Sequence, residues 1–210
     1  MFIIDILEFI VKNPIQNERM KKYFLDAAKN IIRSEGFRSM SARTVAETAG
    51  YSYATIYNYF DDLKDLIFSC AEDFLNDCTE FMQNAPNPGR TTQDNLVALA
   101  KAYCNFFVQY TGVFELIYLE TMSFVANQEK ISTMTAGFLN EQLKEYWEQL
   151  GLELNLKQDD LDFVADTFNS TVHSKLIFYI NRRVPTDYKV FIDDLTLRLN
   201  QVIEMANKLS

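Results

Sequence analysis

Two short helical patterns joined at one glycine, Gly50, constrain this chain more than any other feature. Residues 37–66 read FRSMSARTVAETAGYSYATIYNYFDDLKDL. Ser41 can accept a hydrogen bond from a first-turn N–H and so starts a helix. Ala42, Val45, Ala46 and Ala49 follow at spacings of three and four, which gives that helix a small apolar face. Gly50 stands where a helix end commonly needs a left-handed backbone. Ser52 can cap a second helix over 53–59, with Ile56 and Phe60 pointing inward. Val45, Ala46, Ala49, Ile56 and Phe60 then form the wedge between the two, whose small residues allow the close approach of a helix-turn-helix.

The outward side of the second helix offers Tyr53, Thr55, Tyr57, Asn58 and Tyr59. Asn can pair with adenine, and Thr with base edges or a thymine methyl. Tyr hydroxyls suit phosphate oxygens. Arg43 lies near the same surface and can reach a phosphate or a guanine. On the residues alone two readings stay open: a helix that reads a DNA groove, or an ordinary helix pair with an aromatic surface.

The run from Gly36 to Leu66 resembles the N-terminal domain of the tetracycline-repressor (TetR) family of bacterial transcription regulators. The residues that carry the resemblance are Gly36-Phe37, Ser41, Val45-Ala46, Ala49-Gly50-Tyr51-Ser52, Thr55-Ile56-Tyr57, Tyr59-Phe60 and Leu66. By position, the resemblance implies that Arg43 contacts a base or phosphate and that Tyr53, Ala54, Thr55 and Asn58 face base edges. It implies phosphate contacts for Tyr57 and Tyr59, and places Ser41 and Ser52 at helix starts close to the DNA backbone. Two positions depart from the family pattern. Ala54 replaces a Gly or Pro. Leu63 stands where a lysine is usual, and the charge arrives as Lys64, rotated by about 100° around a helix; Lys64 is kept as a further phosphate contact. The implied partners are a double-stranded DNA operator of roughly palindromic sequence, a small-molecule effector and a second copy of the chain.

The net charge of −9 at first argues against nucleic acid. Its distribution argues the other way: residues 12–64 hold nine Lys/Arg against six Asp/Glu, whereas residues 65–210 hold eleven against twenty-one. The basic charge gathers around the expected reading head. An apolar fraction of 48% supports a substantial core. The three cysteines, Cys70, Cys78 and Cys104, lack metal-ligand spacing and are expected as reduced cytoplasmic thiols packed like small hydrophobes. MFIIDILEFIVK at the start is interrupted by Asp5 and Glu8 and is too short to span a bilayer. It reads as an amphipathic extra helix ended before Pro14, and no membrane partner is expected.

The remaining pattern is helical throughout, with no convincing strand series. One helix is expected from Asn17 or Glu18 to Glu35, stopped by Gly36, and another from Asp61 or Asp62 through Met82. Residues 84–93 are the clearest linker, with Pro86, Pro88 and Gly89. Helices follow over 92–110, broken by Gly112; over 113–127; over 132–150, ended by Gly151; over 159–183; and over 187–208. The expected fold is all-α, with an N-terminal extension (1–16), a three-helix head (17–64) and a larger ligand-binding and dimerisation domain (65–210).

In that larger domain, Tyr103, Phe106, Phe107, Tyr110, Phe114, Tyr118, Met122, Trp147 and Phe168 are candidates to line an effector pocket for a small apolar or aromatic molecule. For any single one of these rings plain helix–helix core is the simpler reading. Leu161, Val164, Phe168, Val172 and Leu176, with Phe191, Leu195, Leu199 and Val202, form stripes on the last two helices. They would be core in a monomer, and the resemblance implies a four-helix dimer interface there. His173 is expected as a hydrogen-bonded core or interface residue. The sequence has no constellation that this single His could serve in nucleophilic catalysis and no glycine-rich phosphate loop. No catalytic residue, cofactor or metal is therefore expected. A ligand-responsive regulator, in the common mode a repressor, is the leading expectation; a helical protein–protein adaptor with a degenerate head is the alternative.

Overall fold

In the computed structural model of the chain, residues 14–85, 89–119 and 134–209 are described. The described residues are helical and contain no strand. The helices are α1 (Pro14–Glu35), α2 (Ala42–Ala49), α3 (Tyr53–Ile56), α4 (Leu63–Gln83), α5 (Thr92–Gln109), α6 (Thr111–Phe114, continued by a wider π turn, Glu115–Leu119), α7 (Phe138–Leu154), α8 (Gln158–Arg182) and α9 (Tyr188–Leu209). The all-α expectation holds. The expected helix within residues 1–12, the prolines of the 84–93 linker, and residues 120–127 and 132–133 of two expected helices lie outside the described residues.

The chain forms two compact units. One holds residues 14–74 with 112–119, and the other holds 75–111 with 134–209, over the described residues of each. The division falls inside α4 rather than at residue 64, because that helix continues unbroken past the head. The segment after Gly112, expected in the larger domain, belongs to the first unit. There Gly112 has a physical reason: a Cβ would come within 2.5 Å of the Ile32 carbonyl oxygen and 3.0 Å of Gly36 Cα.

In the first unit α1 buries Phe24, Ala27, Ala28, Ile31 and Ile32. Lys29, almost wholly buried, pairs with Asp73 of α4, with its ammonium 5.1 Å from the centre of the Phe74 ring. Burial of a charge is tolerable only with such a partner. The Asp62 carboxylate accepts from the Asp65 N–H at 2.9 Å and so starts α4.

The second unit is a helical core of α5, α7, α8 and α9. Thr91 opens α5 through a capping box with Asp94. The expectation that Gly151 ends α7 is corrected: the helix runs on to Leu154 and stops at Asn155, whose φ is 52°. Gly151 instead lets α8 approach, since a Cβ there would meet Leu161 Cδ2 at 2.9 Å. The Asp187 carboxylate accepts from the Val190 N–H at 2.9 Å and starts α9. The three cysteines are free and buried, and burial pushes the Cys70 thiol up to about 12. Such a thiol stays protonated and unreactive.

Candidate nucleic-acid interface

Ser41 fixes the start of α2 as expected. Its hydroxyl accepts from the Thr44 N–H at 3.1 Å, and the Thr44 hydroxyl accepts from the Ser41 N–H at 2.9 Å. Gly50 ends the helix with φ 78° and ψ 25°, a left-handed conformation that a side chain would strain. The Tyr51 N–H then donates back to the Ala46 carbonyl at 2.9 Å, which closes the turn. Val45, Ala46, Ile56 and Phe60 are buried as the wedge requires, while Ala49 is only half-buried.

The second helix is shorter than its sequence suggests. α3 spans Tyr53–Ile56, and Tyr57 to Tyr59 form a turn. The Asn58 N–H donates to Thr55 O at 3.2 Å and the Tyr59 N–H to Ile56 O at 2.9 Å, so the chain tightens into three-residue spacing instead of adding a regular turn. Ser52 does not cap it through its side chain; the Ser52 hydroxyl lies 2.8 Å from that of Thr55. The two hydroxyls satisfy each other, which leaves the first-turn N–H groups without that cap.

Tyr53 is 56% exposed and Tyr57 42%, with their rings edge to face at 5.4 Å between centroids. A hydrogen bond with the Tyr53 side chain, which favours the neutral phenol, is the main reason that Tyr57 is held above its ordinary range. Arg43, Ser52, Ala54, Asn58 and Lys64 are exposed; Ser41, Thr55 and Tyr59 are half-buried. Tyr59 leans on the buried Phe24 ring at 5.8 Å, and so does Tyr51 at 5.5 Å. Tyr59 therefore serves partly as structure, which spacing alone did not reveal. Arg43 is not an isolated cation: its Nε–H donates to Glu47 Oε1 at 2.9 Å. That hydrogen bond, and then the carboxylate's charge, hold the guanidinium above its ordinary range. Arg43, Ala46, Glu47, Tyr51, Ser52 and Tyr53 surround an open concavity of about 510 Å³. Glu47 is a member of this surface that sequence reasoning passed over, although its i,i+4 spacing from Arg43 was the available signal.

The aromatic candidates of the larger domain are packed on one another. Tyr103, Phe106, Phe107, Trp147 and Phe168 are buried in the second unit, with edge-to-face contacts of 4.8 Å for Tyr103–Phe107 and 5.2 Å each for Phe106–Phe107 and Trp147–Phe168. Tyr110 stands 5.2 Å from Phe106. Phe114 and Tyr118 pair at 5.1 Å in the first unit. Met122 lies outside the described residues. These rings pack on one another, although the Trp147 indole N–H is buried among the described residues without a hydrogen-bond partner. His173 is fixed between two partners: its Nδ1–H donates to the Asn169 carbonyl and its Nε2 accepts from the Tyr103 hydroxyl, each at 2.9 Å. A carbonyl can only accept, so the tautomer follows, and burial holds the imidazole below its ordinary range.

The stripes expected at a dimer interface are likewise turned inward. Leu161, Val164, Phe168, Val172, Leu176, Phe191, Leu195, Leu199 and Val202 are all buried within the single chain. They are the core between α8, α9 and their neighbours and are not available to a second copy. The outer faces carry a different set: Phe163, Ile177 and Phe178 on α8, with Val190, Leu197 and Met205 on α9, are exposed.

Residues 24–70 match the family model described as bacterial regulatory proteins, tetR family. The fatty acid metabolism regulator protein of Bacillus subtilis (strain 168) is 23% identical over 126 residues, which cover 59% of this chain and 65% of that protein, just under two thirds of its length. Among solved structures, a candidate transcriptional regulator of Pseudomonas aeruginosa PAO1 superposes with a TM-score of 0.71 at 14% identity, covering 91% of this chain and 93% of that one. RolR in complex with resorcinol superposes with a TM-score of 0.61 at 14% identity, covering 93% and 97%. At these identities the structures show a shared fold, and the family model matches the helix-turn-helix region alone. Over residues 24–70, the helix-turn-helix, the chain is similar to the TetR family of bacterial regulatory proteins.

Proposed function

We propose that this protein is a homodimeric, ligand-responsive transcription regulator of the cytoplasm, in the common mode a repressor, which binds a roughly palindromic operator and releases it when a small effector enters its helical body. The observation that carries the reading is the exposed surface of Arg43, Tyr53, Tyr57 and Asn58 on a helix pair locked by Ser41 and Gly50. Asn58 supplies an amide for adenine, Arg43 a guanidinium for guanine or phosphate, and the phenols donors for phosphate oxygens. Two-fold pairing of such heads places them on successive major-groove faces, about 34–36 Å apart on DNA.

The second copy docks, in this reading, on the outward faces of α8 and α9. Phe163, Ile177, Phe178, Val190, Leu197 and Met205 offer apolar surface, and Thr167, Ser170, Thr171 and Ser174 line a shallow groove along α8 that lets a partner helix approach. An isologous contact uses one face twice, as a palindrome requires. For the effector, RolR holds resorcinol and the Bacillus relative is named for fatty acid metabolism; both support a weakly polar small molecule. α4 is common to both units, so a displacement of its far end reaches the head. An effector that favours the non-binding state by about 1–3 kcal/mol changes operator affinity roughly 5–150-fold.

The test is selection of duplexes from a random pool by the purified protein, followed by titration of the enriched sequence. Arg43→Ala and Tyr57→Phe should each weaken binding by about 1–3 kcal/mol while the dimer persists. Failure to enrich any sequence would favour an adaptor whose head keeps only its shape.

A further inference from the structure

Glu47 is an exposed carboxylate on a surface argued above to meet a polyanion, and that placement needs a reason. On a phosphate-facing surface an unpaired carboxylate opposes binding. Glu47 is paired, however, and the way in which it is paired is selective. It takes the Nε–H of Arg43 at 2.9 Å, one turn away on the same helix. Among the described residues Arg43 has no other side-chain partner. The guanidinium is planar and its five N–H groups are fixed in direction. Holding Nε leaves both terminal Nη groups side by side at the outer end, the arrangement that meets O6 and N7 of one guanine. The pair borders the concavity shared with Ser52 and Tyr53, so the held guanidinium lies beside the start of α3.

Resting on the DNA-binding reading above, we infer that Glu47 is a positioning residue that commits Arg43 to a guanine edge instead of a phosphate, and so sets sequence selectivity at one base pair of each half-site. A neutral acceptor in the same place preserves the orientation. Removal of the acceptor frees Arg43 to settle on the backbone, where every sequence looks alike.

The experiment measures affinities of wild type, Glu47→Gln and Glu47→Ala for the enriched operator, for each single-base variant of one half-site, and for an unrelated duplex, at one salt concentration. Glu47→Ala should bind the unrelated duplex at least as tightly as wild type and lose about tenfold of discrimination at one G·C position. Glu47→Gln should keep most of that discrimination. Wild-type selectivity retained at every position in Glu47→Ala, or equal loss in both variants, overturns the inference. Both side chains are exposed, so the variants fold, and circular dichroism checks this. A wild type that binds no duplex would sink the functional proposal itself, whereas selective wild-type binding with an unaffected Glu47→Ala sinks only the role of Glu47.

Discussion

Replacing Phe178 by glutamate should dissociate the proposed dimer and leave the subunit folded. Phe178 is 59% exposed in the single chain. A phenylalanine side chain can bury about 200 Å², so roughly 120 Å² remains for a partner to cover. At about 25 cal/mol per Å² that surface contributes about 3 kcal/mol per subunit, and about 6 kcal/mol when both copies use it. Interfaces return only part of such an area-based figure, because association also loses rotational freedom and side-chain entropy. Even half of it, about 3 kcal/mol, raises the dimer dissociation constant by roughly two orders of magnitude. Two carboxylates brought into an apolar contact add their desolvation. Sedimentation velocity over a hundredfold range of protein concentration reads the shift directly, and operator affinity should fall with it. The control is Leu176→Ala. Leu176 is fully buried within the chain, so that change should lower folding stability by about 2–5 kcal/mol. A Phe178→Glu protein that remains dimeric at wild-type concentrations would show that the outward α8 face is not where copies meet.

Gly112→Ala should destabilise the head-containing unit by about 1–3 kcal/mol in chemical denaturation, because its Cβ meets backbone atoms of Ile32 and Gly36 that cannot rotate away. Wild-type stability would mean that α6 can move off α1 at little expense. Stability should also fall as pH drops below about 6.5, the ordinary imidazole value. The folded His173 resists protonation, since burial holds its pKa below that value, so the unfolded chain takes up the proton first. The contribution is full above about pH 6.5 and fades towards the lower folded value, at up to about 1.4 kcal/mol per pH unit. Urea midpoints at pH 7 and 5.5 for wild type and His173→Phe check this; the same pH dependence in both would assign it to other groups.

The head was legible because its signals are local. The Ser41 cap, the Gly50 stop and the Val45/Ile56 wedge each depend on residues within one or two turns, and each appears in the structure as read. The length of α3 was not legible, since nothing in Tyr57-Asn58-Tyr59 marks the change to three-residue spacing. Helical periodicity also cannot say which of two adjacent apolar stripes faces the chain's own core. Leu176 and Ile177–Phe178 are neighbours on α8, and only packing against α9 decides that Leu176 is inside. Gly151 misled for a related reason: a glycine that admits a neighbouring helix has the same sequence signature as one that ends its own. The aromatic cluster of α5 looked like a pocket lining because ring density is common to pockets and cores, and the rings meet each other.

The most direct measurement is a fluorescence-anisotropy titration of the selected operator across salt concentrations, with stoichiometry read at saturation. The account predicts two subunits per palindrome and a log affinity that falls linearly with log salt, at a slope of about −0.9 per phosphate contact. One subunit per duplex, or an affinity indifferent to salt, would contradict the claim that paired, exposed heads read DNA.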